Sequence, residues 1–261
     1  MSVAYDRDGR GEPLVLIHGL GGERHIWEPT LEHLTGERDV IRVDLPGFGA
    51  SPTVPKGERA TPWVLAAQVA AQLDELGLDR VHVAGNSLGG WVALELAKAG
   101  RALSVTGIAT AGLWSGPLVR KPYLMRGVAK GLMPVLPLLL AAGGVRRAAL
   151  LGSVAHPERI PRAAATRIAL AYARSPGFVN ASENMRANHF TGGDEVHVPV
   201  TMAWCEHDRL IARPRTLPFP ARETLLAGCG HVPMYDDPRA VAQVILAGSA
   251  ARSTAATGRS A

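Results

Sequence analysis

A serine flanked by glycines is the feature of this sequence best suited to covalent chemistry. Ser87 lies within the run Gly85–Gly90, which reads Gly-Asn-Ser-Leu-Gly-Gly. Glycines two residues before and two residues after the serine remove the side chains that would collide in a sharp reversal of the chain. Such a turn forces the serine toward positive φ and places its hydroxyl beside the N–H of Leu88, which can bind an anion. The spacing therefore predicts a nucleophilic hydroxyl.

The residues on either side of this run predict the elements that position the serine. Arg80–Ala84 is short, rich in valine and typical of a buried strand. Leu88–Ala99 contains strong helix formers, with apolar residues at helical spacing. A strand, a turn and a helix in this order would place the serine at the carboxyl end of its strand, which is where open parallel sheets bind ligands.

Three other motifs follow predicted strands in the same way. The run His18–Gly22 is rich in glycine and follows one strand, and its N–H groups are available to an oxyanion. Asp208 lies in the loop after a second strand, and His231 follows a third within Gly228–His231. A serine, an acid and a histidine are therefore expected in loops at one edge of the sheet, in that order along the chain.

Strand and helix patterns alternate along most of the chain, which favours an α/β fold with a mostly parallel central sheet and helices on both of its faces. The alternation stops over 114–195, which is rich in Pro, Arg, Leu and Ala and has helical periodicity without a convincing strand. We therefore expect a core formed by 1–113 and 196–248, a helical insertion at 114–195 and a disordered tail at 249–261. The remaining predicted strands are Pro13–His18, Asp39–Asp44, Leu103–Ala109, Val198–Trp204 and Arg222–Ala227, and the remaining predicted helices are His25–Leu34, Trp63–Leu76 and Pro238–Leu246.

The charge of the chain is unevenly distributed. Residues 114–195 include eleven Lys or Arg and four Asp or Glu, a net of +7, whereas the rest of the chain nets −2 of the total of +5. Because this segment lacks interleaved aromatic residues and matches no recognised nucleic-acid-binding module, we expect no nucleic-acid partner. We expect these basic residues to form a solvated surface. Attraction to anionic substrates or peripheral contact with membranes is the weaker alternative.

The chain contains only two cysteines, Cys205 and Cys229, which are too few for a disulfide scaffold. No apolar segment is long enough to span a bilayer, and the first residues lack the pattern of a secretory signal. We therefore expect a cytoplasmic protein without a cofactor. A zinc site built from each cysteine and the histidine two residues after it is a disfavoured alternative, since paired zinc ligands are usually separated by two or more residues. A disulfide between the cysteines is disfavoured as well.

The glycine-flanked serine, the His-Gly-Leu-Gly loop that begins at His18 and the order Ser, Asp, His together resemble the α/β-hydrolase family. The run Asp44–Ser51 is similar to a further motif of that family. The resemblance implies that the insertion at 114–195 is a helical cap over an active site. It also implies that Ser87 is the nucleophile, that His231 is first the general base and then the general acid, and that Asp208 fixes the histidine tautomer.

The resemblance further implies an oxyanion hole formed by the backbone N–H groups of Leu20 and Leu88. Gly19, Trp114 and Met133 are the expected substrate contacts. The apolar residues of the insertion, which include Met133, are expected either to form a lid over an acyl chain or to pack the cap onto the core.

Several neighbouring polar residues have competing interpretations. Glu206 lies two residues before Asp208, and Cys205 stands where the family commonly has glycine; we favour Asp208 as the catalytic acid. His18 is expected to hold the oxyanion loop, and Asp236 and Asp237 are expected to cap the last helix.

Ser87 argues against the epoxide hydrolases and haloalkane dehalogenases of the family, whose nucleophile is an aspartate. We expect a carboxylic ester hydrolase, similar to esterases and lipases, that forms an acyl-enzyme. The Asn86-Ser87 pair resembles the meta-cleavage-product hydrolases, which break carbon–carbon bonds, but their usual Gly-Gly-Gly-Pro-Gly loop and the tryptophan soon after the histidine are missing here. A protein of this fold that binds a ligand without turnover is a third alternative.

Overall fold

A central sheet of seven strands organises the computed structural model, which describes residues 2–119 and 123–250. The strands are β1 (Tyr5–Gly9), β2 (Glu12–Ile17), β3 (Arg38–Val43), β4 (Val81–Asn86), β5 (Ala102–Ile108), β6 (Val200–Cys205) and β7 (Arg222–Leu226). They lie in the order β1-β3-β2-β4-β5-β6-β7, with β1 antiparallel to β3 and every other neighbouring pair parallel. The mostly parallel sheet predicted from the sequence is confirmed.

The edge strand β1 is the one strand of the described sheet that the sequence patterns did not predict. It reads Tyr-Asp-Arg-Asp-Gly and is mostly exposed, so it lacks the apolar alternation of a half-buried strand. Its pairing with β3 is supported by ion pairs between neighbouring strands, from Arg7 to Asp39 at 2.5 Å and from Arg42 to Asp8 at 2.7 Å. Charged side chains of this kind are typical of an edge strand that must not recruit another chain.

Helices cover both faces of the sheet. Alternate side chains of β2 point to opposite faces, with Val15 and Ile17 in one apolar core and Leu14 and Leu16 in the other. The helices are α1 (Leu31–Leu34), α2 (Pro62–Glu75), α3 (Leu88–Lys98), α4 (Leu124–Gly131), α5 (Leu136–Leu139), α6 (Gly143–Leu150), α7 (Arg162–Arg174), α8 (Phe178–Ala187) and α9 (Pro238–Ala250), and 3-10 helices lie at Arg24–Thr30, Pro157–Arg159, Gly193–Glu195 and Pro233–Tyr235. Residues of α2 and α3 line the first core, whereas residues of α1 and α9 line the second.

Two predicted elements differ in detail from the structure. The helix predicted at His25–Leu34 is a 3-10 helix at Arg24–Thr30 that continues into α1, and it contains Pro29, which has no N–H to donate to an α-helical ladder. The last helix runs to Ala250 and so includes the first two residues of the predicted tail. Its buried Ser249 accepts a hydrogen bond from Arg38 at 3.1 Å, which explains the extension; 251–261 lie outside the described residues.

The segment between β5 and β6 contains α4 to α8 and two 3-10 helices joined by loops, with no strand in 114–119 and 123–195. Its backbone hydrogen bonds to the core include those from Gly177 N–H to the Gly47 carbonyl at 2.9 Å, from Phe190 N–H to the Gly112 carbonyl at 2.7 Å and from Val232 N–H to the Ser153 carbonyl at 2.8 Å. Its interpretation as a cap stays a prediction. No helix within the described ranges is both long enough and apolar enough to cross a bilayer.

Gly89 sets how closely α3 approaches β2, and we expect Gly89→Ala to destabilise the fold. A Cβ at this position would lie 2.2 Å from the Ile17 carbonyl oxygen and 2.7 Å from the His18 carbonyl oxygen. Overpacking of this kind costs about 1–3 kcal/mol of unfolding free energy. Urea denaturation followed by circular dichroism measures the loss. Gly36→Ala is the matched control, because nothing lies within 4 Å of its Cβ position; equal midpoints for the two variants would contradict the prediction.

Candidate active site

Ser87 adopts a backbone conformation that residues other than glycine rarely take, with φ at 55° and ψ at −116°. Its N–H donates to the Ile108 carbonyl at 2.9 Å, and its own carbonyl accepts from the N–H groups of Gly90 at 3.0 Å, Trp91 at 3.3 Å and Ala111 at 3.0 Å. A strained conformation persists only where the surroundings over-determine it. The ends of β4 and β5 and the first turn of α3 together impose the turn that the glycine spacing predicts.

The glycines around Ser87 are required by close contacts rather than by flexibility. A Cβ on Gly85 would lie 2.1 Å from the Gly89 carbonyl oxygen, and a Cβ on Gly90 would lie 2.4 Å from the hydroxyl of Thr110. Any side chain at these positions would push α3 away from the sheet. Ser87 itself is 7% exposed, so it is buried rather than on an open surface.

The loop after β2 lies directly against Ser87. A Cβ added to Gly19 would come within 3.0 Å of the Ser87 Cβ, so glycine is needed for this approach. His18 is fully buried; its Nε2 accepts from the Leu45 N–H at 2.9 Å, and its Nδ1 therefore carries the proton and donates to the Gly19 carbonyl at 2.8 Å. Burial lowers the pKa of His18 despite the nearby charge of Asp44, which keeps the ring neutral and suited to holding the loop.

Two backbone N–H groups near Ser87 are free to bind an anion. Leu88 is the first residue of α3, and Leu20 follows Gly19 in the adjacent loop. Within the described part of the chain, neither N–H donates to a protein acceptor. The start of α3 also adds the positive end of a helix dipole. The arrangement is suited to an oxyanion hole, and its role stays part of the functional proposal.

Asp208 and His231 are brought together by the loops after β6 and β7. The Nδ1 of His231 donates to the Asp208 carboxylate at 2.8 Å, and the other carboxylate oxygen accepts from the N–H groups of Leu210 at 2.7 Å and Ile211 at 2.9 Å. Burial opposes ionisation of Asp208, but these hydrogen bonds and the interaction with His231 outweigh it, so the pKa of Asp208 lies below its ordinary value. An ionised carboxylate can only accept, which leaves the Nε2 of His231 as the proton acceptor of the ring.

Asn86 connects the histidine loop to the serine turn. Its side-chain amide donates to the His231 carbonyl at 2.9 Å and to the Ile108 carbonyl at 3.2 Å. Among the residues that the structure describes, the Ser87 hydroxyl makes no hydrogen bond. The side chain of Asn86 supplies the hydrogen bond that joins the serine turn to the histidine loop. The sequence singled out Asn86 only as a family marker and missed this connection.

Asp236 has a different position from the one predicted for it. It does not cap α9: its buried carboxylate accepts from the N–H groups of Ala155 at 3.0 Å, His156 at 2.8 Å and Gly230 at 2.8 Å. These donors come from the helical insertion and from the residue before His231, so Asp236 joins the two. Asp237 is the cap, as predicted, and accepts from the Ala240 N–H at 2.9 Å.

The other predicted site residues lie elsewhere. The exposed Glu206 accepts from the Gly228 N–H at 2.7 Å and is not paired with His231. Trp114 is half-buried against the ring of Trp91, and its indole N–H donates to the Asn188 carbonyl at 2.8 Å. Met133 is half-buried in the turn between α4 and α5. The contacts found for Trp114 and Met133 do not place them beside Ser87, and their role in substrate binding stays a prediction.

Both cysteines are buried free thiols; Cys205 is the last residue of β6, and Cys229 lies in the loop after β7. Burial raises the pKa of both, to about 12 for Cys229, which makes them poor nucleophiles at neutral pH. The described residues contain no group of three or more His, Cys, Asp or Glu side chains arranged to hold a metal ion.

Known proteins resemble this chain in sequence and in fold. The sequence profile of the alpha/beta hydrolase family matches residues 14–244. Epoxide hydrolase EphH of Mycobacterium tuberculosis is 35% identical over 201 residues, which covers 70% of this chain and 92% of that protein. The pimeloyl-[acyl-carrier protein] methyl ester esterase of Aeromonas hydrophila is 45% identical over 97 residues, which covers 37% of this chain and only 36% of the esterase.

A solved structure supports the same fold. The enol-lactonase from Burkholderia xenovorans LB400 superimposes with a TM-score of 0.76 at 22% identity, covering 95% of this chain and 96% of that one. At this identity the likeness concerns the fold alone.

We expect Asp236→Ala to destabilise the protein by about 3 kcal/mol, because the N–H groups of buried Gly230 and of the half-buried Ala155 and His156 would lose their acceptor. Asp237→Ala is the neighbouring control; it removes one exposed capping bond and should cost about 1 kcal/mol. Urea denaturation measures both. The same loss in the two variants would show that Asp236 does not join the insertion to the histidine loop.

We expect the cost of Asp208→Asn to depend on pH. The folded-state pKa of Asp208 lies below the unfolded value of about 3.9, so its carboxylate stabilises the fold above that pH. This contribution is lost as the pH falls through the folded pKa. Urea denaturation at about pH 7 and about pH 3 should therefore show a gap between wild type and variant that narrows in acid. The exposed Asp194→Asn is the control, and a gap that stays constant or widens in acid would contradict the prediction.

Proposed function

Because the chain belongs to the alpha/beta hydrolase family, we propose that it cleaves carboxylic esters through an acyl-enzyme formed on Ser87. The observation that carries the proposal is the serine held at a φ of 55° beside two free N–H groups, next to an Asp208–His231 pair that Asn86 connects to the same turn. The substrate would be a small molecule with an ester or related acyl group.

In the proposed reaction, the Nε2 of His231 takes the hydroxyl proton of Ser87 while the serine oxygen attacks the ester carbonyl carbon. The N–H groups of Leu20 and Leu88 bind the resulting oxyanion. The carbon–oxygen bond to the alcohol then breaks, and His231 returns the proton to the leaving alcohol. A water molecule, deprotonated by His231, attacks the acyl-enzyme and releases the acid. Asp208 holds the ring in the tautomer that each transfer needs, without taking the proton itself.

Every proton and electron pair in these reaction steps comes from side chains, substrate or water, so the proposal includes no cofactor. We also place the protein in the cytoplasm, since two buried free thiols suit a reducing compartment.

The name of the epoxide hydrolase relative suggests a second reaction, and the chemistry of serine argues against it. Attack of the Ser87 oxygen on an epoxide carbon would open the ring and leave an ether between serine and product. An ether has no carbonyl carbon for water to attack, so the modified enzyme could not be regenerated after its first reaction. An ester substrate leaves an acyl-enzyme, which water can cleave.

Asn86 suggested the alternative of a carbon–carbon bond hydrolase, but the side chain of Asn86 has a structural role. Its amide is occupied by the carbonyl oxygens of Ile108 and His231. The pair Asn86-Ser87 therefore has an architectural explanation that applies equally to an esterase, and the methyl ester esterase relative supports the ester reaction.

We expect the wild-type protein to hydrolyse nitrophenyl esters of graded chain length and Ser87→Ala to lower kcat by at least about 10³-fold, because no acyl-enzyme can form. Steady-state absorbance kinetics measure the effect, and the exposed Ser115→Ala is the matched control. A fluorophosphonate should label wild type and Ser115→Ala but not Ser87→Ala. No turnover of any ester together with no labelling would overturn the proposal, as would turnover of an epoxide that survives Ser87→Ala.

A further inference from the structure

Two neighbouring helices of the insertion expose large apolar side chains to solvent. Leu124, Met125 and Leu138 are each 72% exposed. We define the α4–α5 surface as these three residues together with Val128, Val135 and Leu132, which are 40–47% exposed. On α4 the exposed positions recur at helical spacing, so they lie along one side of the helix. Single exposed apolar residues are ordinary, but a contiguous group on one surface marks an interaction site.

The orientation of α4 is fixed by the residue on its other side. The Arg126 guanidinium donates to the Ser175 carbonyl at 2.6 Å and to the Tyr172 carbonyl at 3.3 Å, and it lies over the ring of Phe178 at 5.0 Å from the centroid. These contacts hold the polar side of α4 against α7 and α8. The apolar side consequently faces away from the protein, and it cannot turn inward without breaking them.

The charge around the α4–α5 surface has one sign. The sequence has no Asp or Glu between Glu95 and Glu158. Arg162, the first residue of α7, is exposed, and its guanidinium donates to the Pro137 carbonyl of α5 at 3.0 Å. The helix α7 contains no Asp or Glu. An apolar surface with a basic side chain nearby fits a ligand that is apolar in one layer and anionic in the next.

From this combination we propose that the α4–α5 surface binds peripherally to anionic lipid membranes, with the apolar side chains in the acyl boundary and Arg162 at the headgroups. A bilayer presents an apolar interior and a negative headgroup layer in one surface. The proposal does not depend on the reaction of Ser87.

Other occupants match the surface less well. Residues 251–261 contain two arginines and no apolar side chain larger than alanine, so they would add like charge and little apolar area. A second copy of the chain, docked through the same surface, would bring Arg162 close to its own counterpart. An acidic protein would satisfy the charge, and the experiment below distinguishes it.

The test is co-sedimentation with vesicles of phosphatidylcholine alone and of phosphatidylcholine mixed with phosphatidylglycerol. We expect binding to the mixed vesicles that weakens with added salt, and much less binding to the neutral ones. Arg162→Gln should lower the partition coefficient by about fivefold, the effect of one charge removed. The control is Arg59→Gln, an exposed basic residue outside the insertion, which should bind as wild type.

The apolar contribution is tested by Leu124→Gln with Met125→Gln, which should lower binding by at least tenfold at any salt concentration, on the scale of two buried apolar side chains. The control is Trp63→Gln, since Trp63 is 45% exposed on α2, outside the surface. Circular dichroism should show unchanged thermal midpoints for these surface variants. Ser87→Ala should bind vesicles as wild type does, which separates this proposal from the proposed reaction.

Three results would overturn the proposal. The first is no preference for the anionic vesicles, and the second is surface variants that bind as their controls do. The third is light scattering that shows a dimer, or a complex with polyglutamate as an acidic polypeptide probe, that is lost in Leu124→Gln with Met125→Gln while vesicle binding is unaffected.

Discussion

The backbone of Ser87 is the constraint on which the rest of the structure depends. A non-glycine residue at a φ of 55° and a ψ of −116° is unfavourable in isolation, and here it is held by hydrogen bonds to the end of β5, to the segment after it and to the first turn of α3. Those partners can approach only because glycine occupies the neighbouring positions, where a Cβ would meet backbone atoms of α3 and β2. The order of the strands, the positions of the glycines and the backbone conformation of Ser87 therefore depend on one another.

The groups proposed to act on the substrate are attached to this turn by short polar links. Asn86 ties the carbonyl of His231 to the end of β4, and Asp236 ties the N–H of Gly230 to the N–H groups of Ala155 and His156. The histidine loop is thus held from the sheet on one side and from the helical insertion on the other. Because the Asp236 carboxylate is buried, water cannot readily replace its hydrogen bonds. A displacement of the insertion would therefore also displace the histidine loop.

Local patterns in the sequence were enough to predict the central strands and the turn at Ser87, because each depends on residues a few positions apart. The pairing of Asp208 with His231, 23 positions apart, was expected from the family resemblance and from the position of both residues after parallel strands. The edge strand β1 was missed since it is stabilised by ion pairs with β3 rather than by burial. Asp236 was assigned to a helix cap because its three donors lie in other loops, and pairings of that kind leave no periodic signal. The outward orientation of α4 follows from Arg126 and the carbonyls of distant residues, which are equally invisible to local spacing.

Covalent acylation of Ser87 is the step from which the proposed reaction follows, and intact-protein mass spectrometry of the enzyme quenched during turnover of a nitrophenyl ester detects it. We expect a mass increase equal to the acyl group of the ester, located on the peptide that contains Ser87 and absent from Ser87→Ala. Turnover of the ester without any acylated protein, or with the acyl group on another residue, would contradict it.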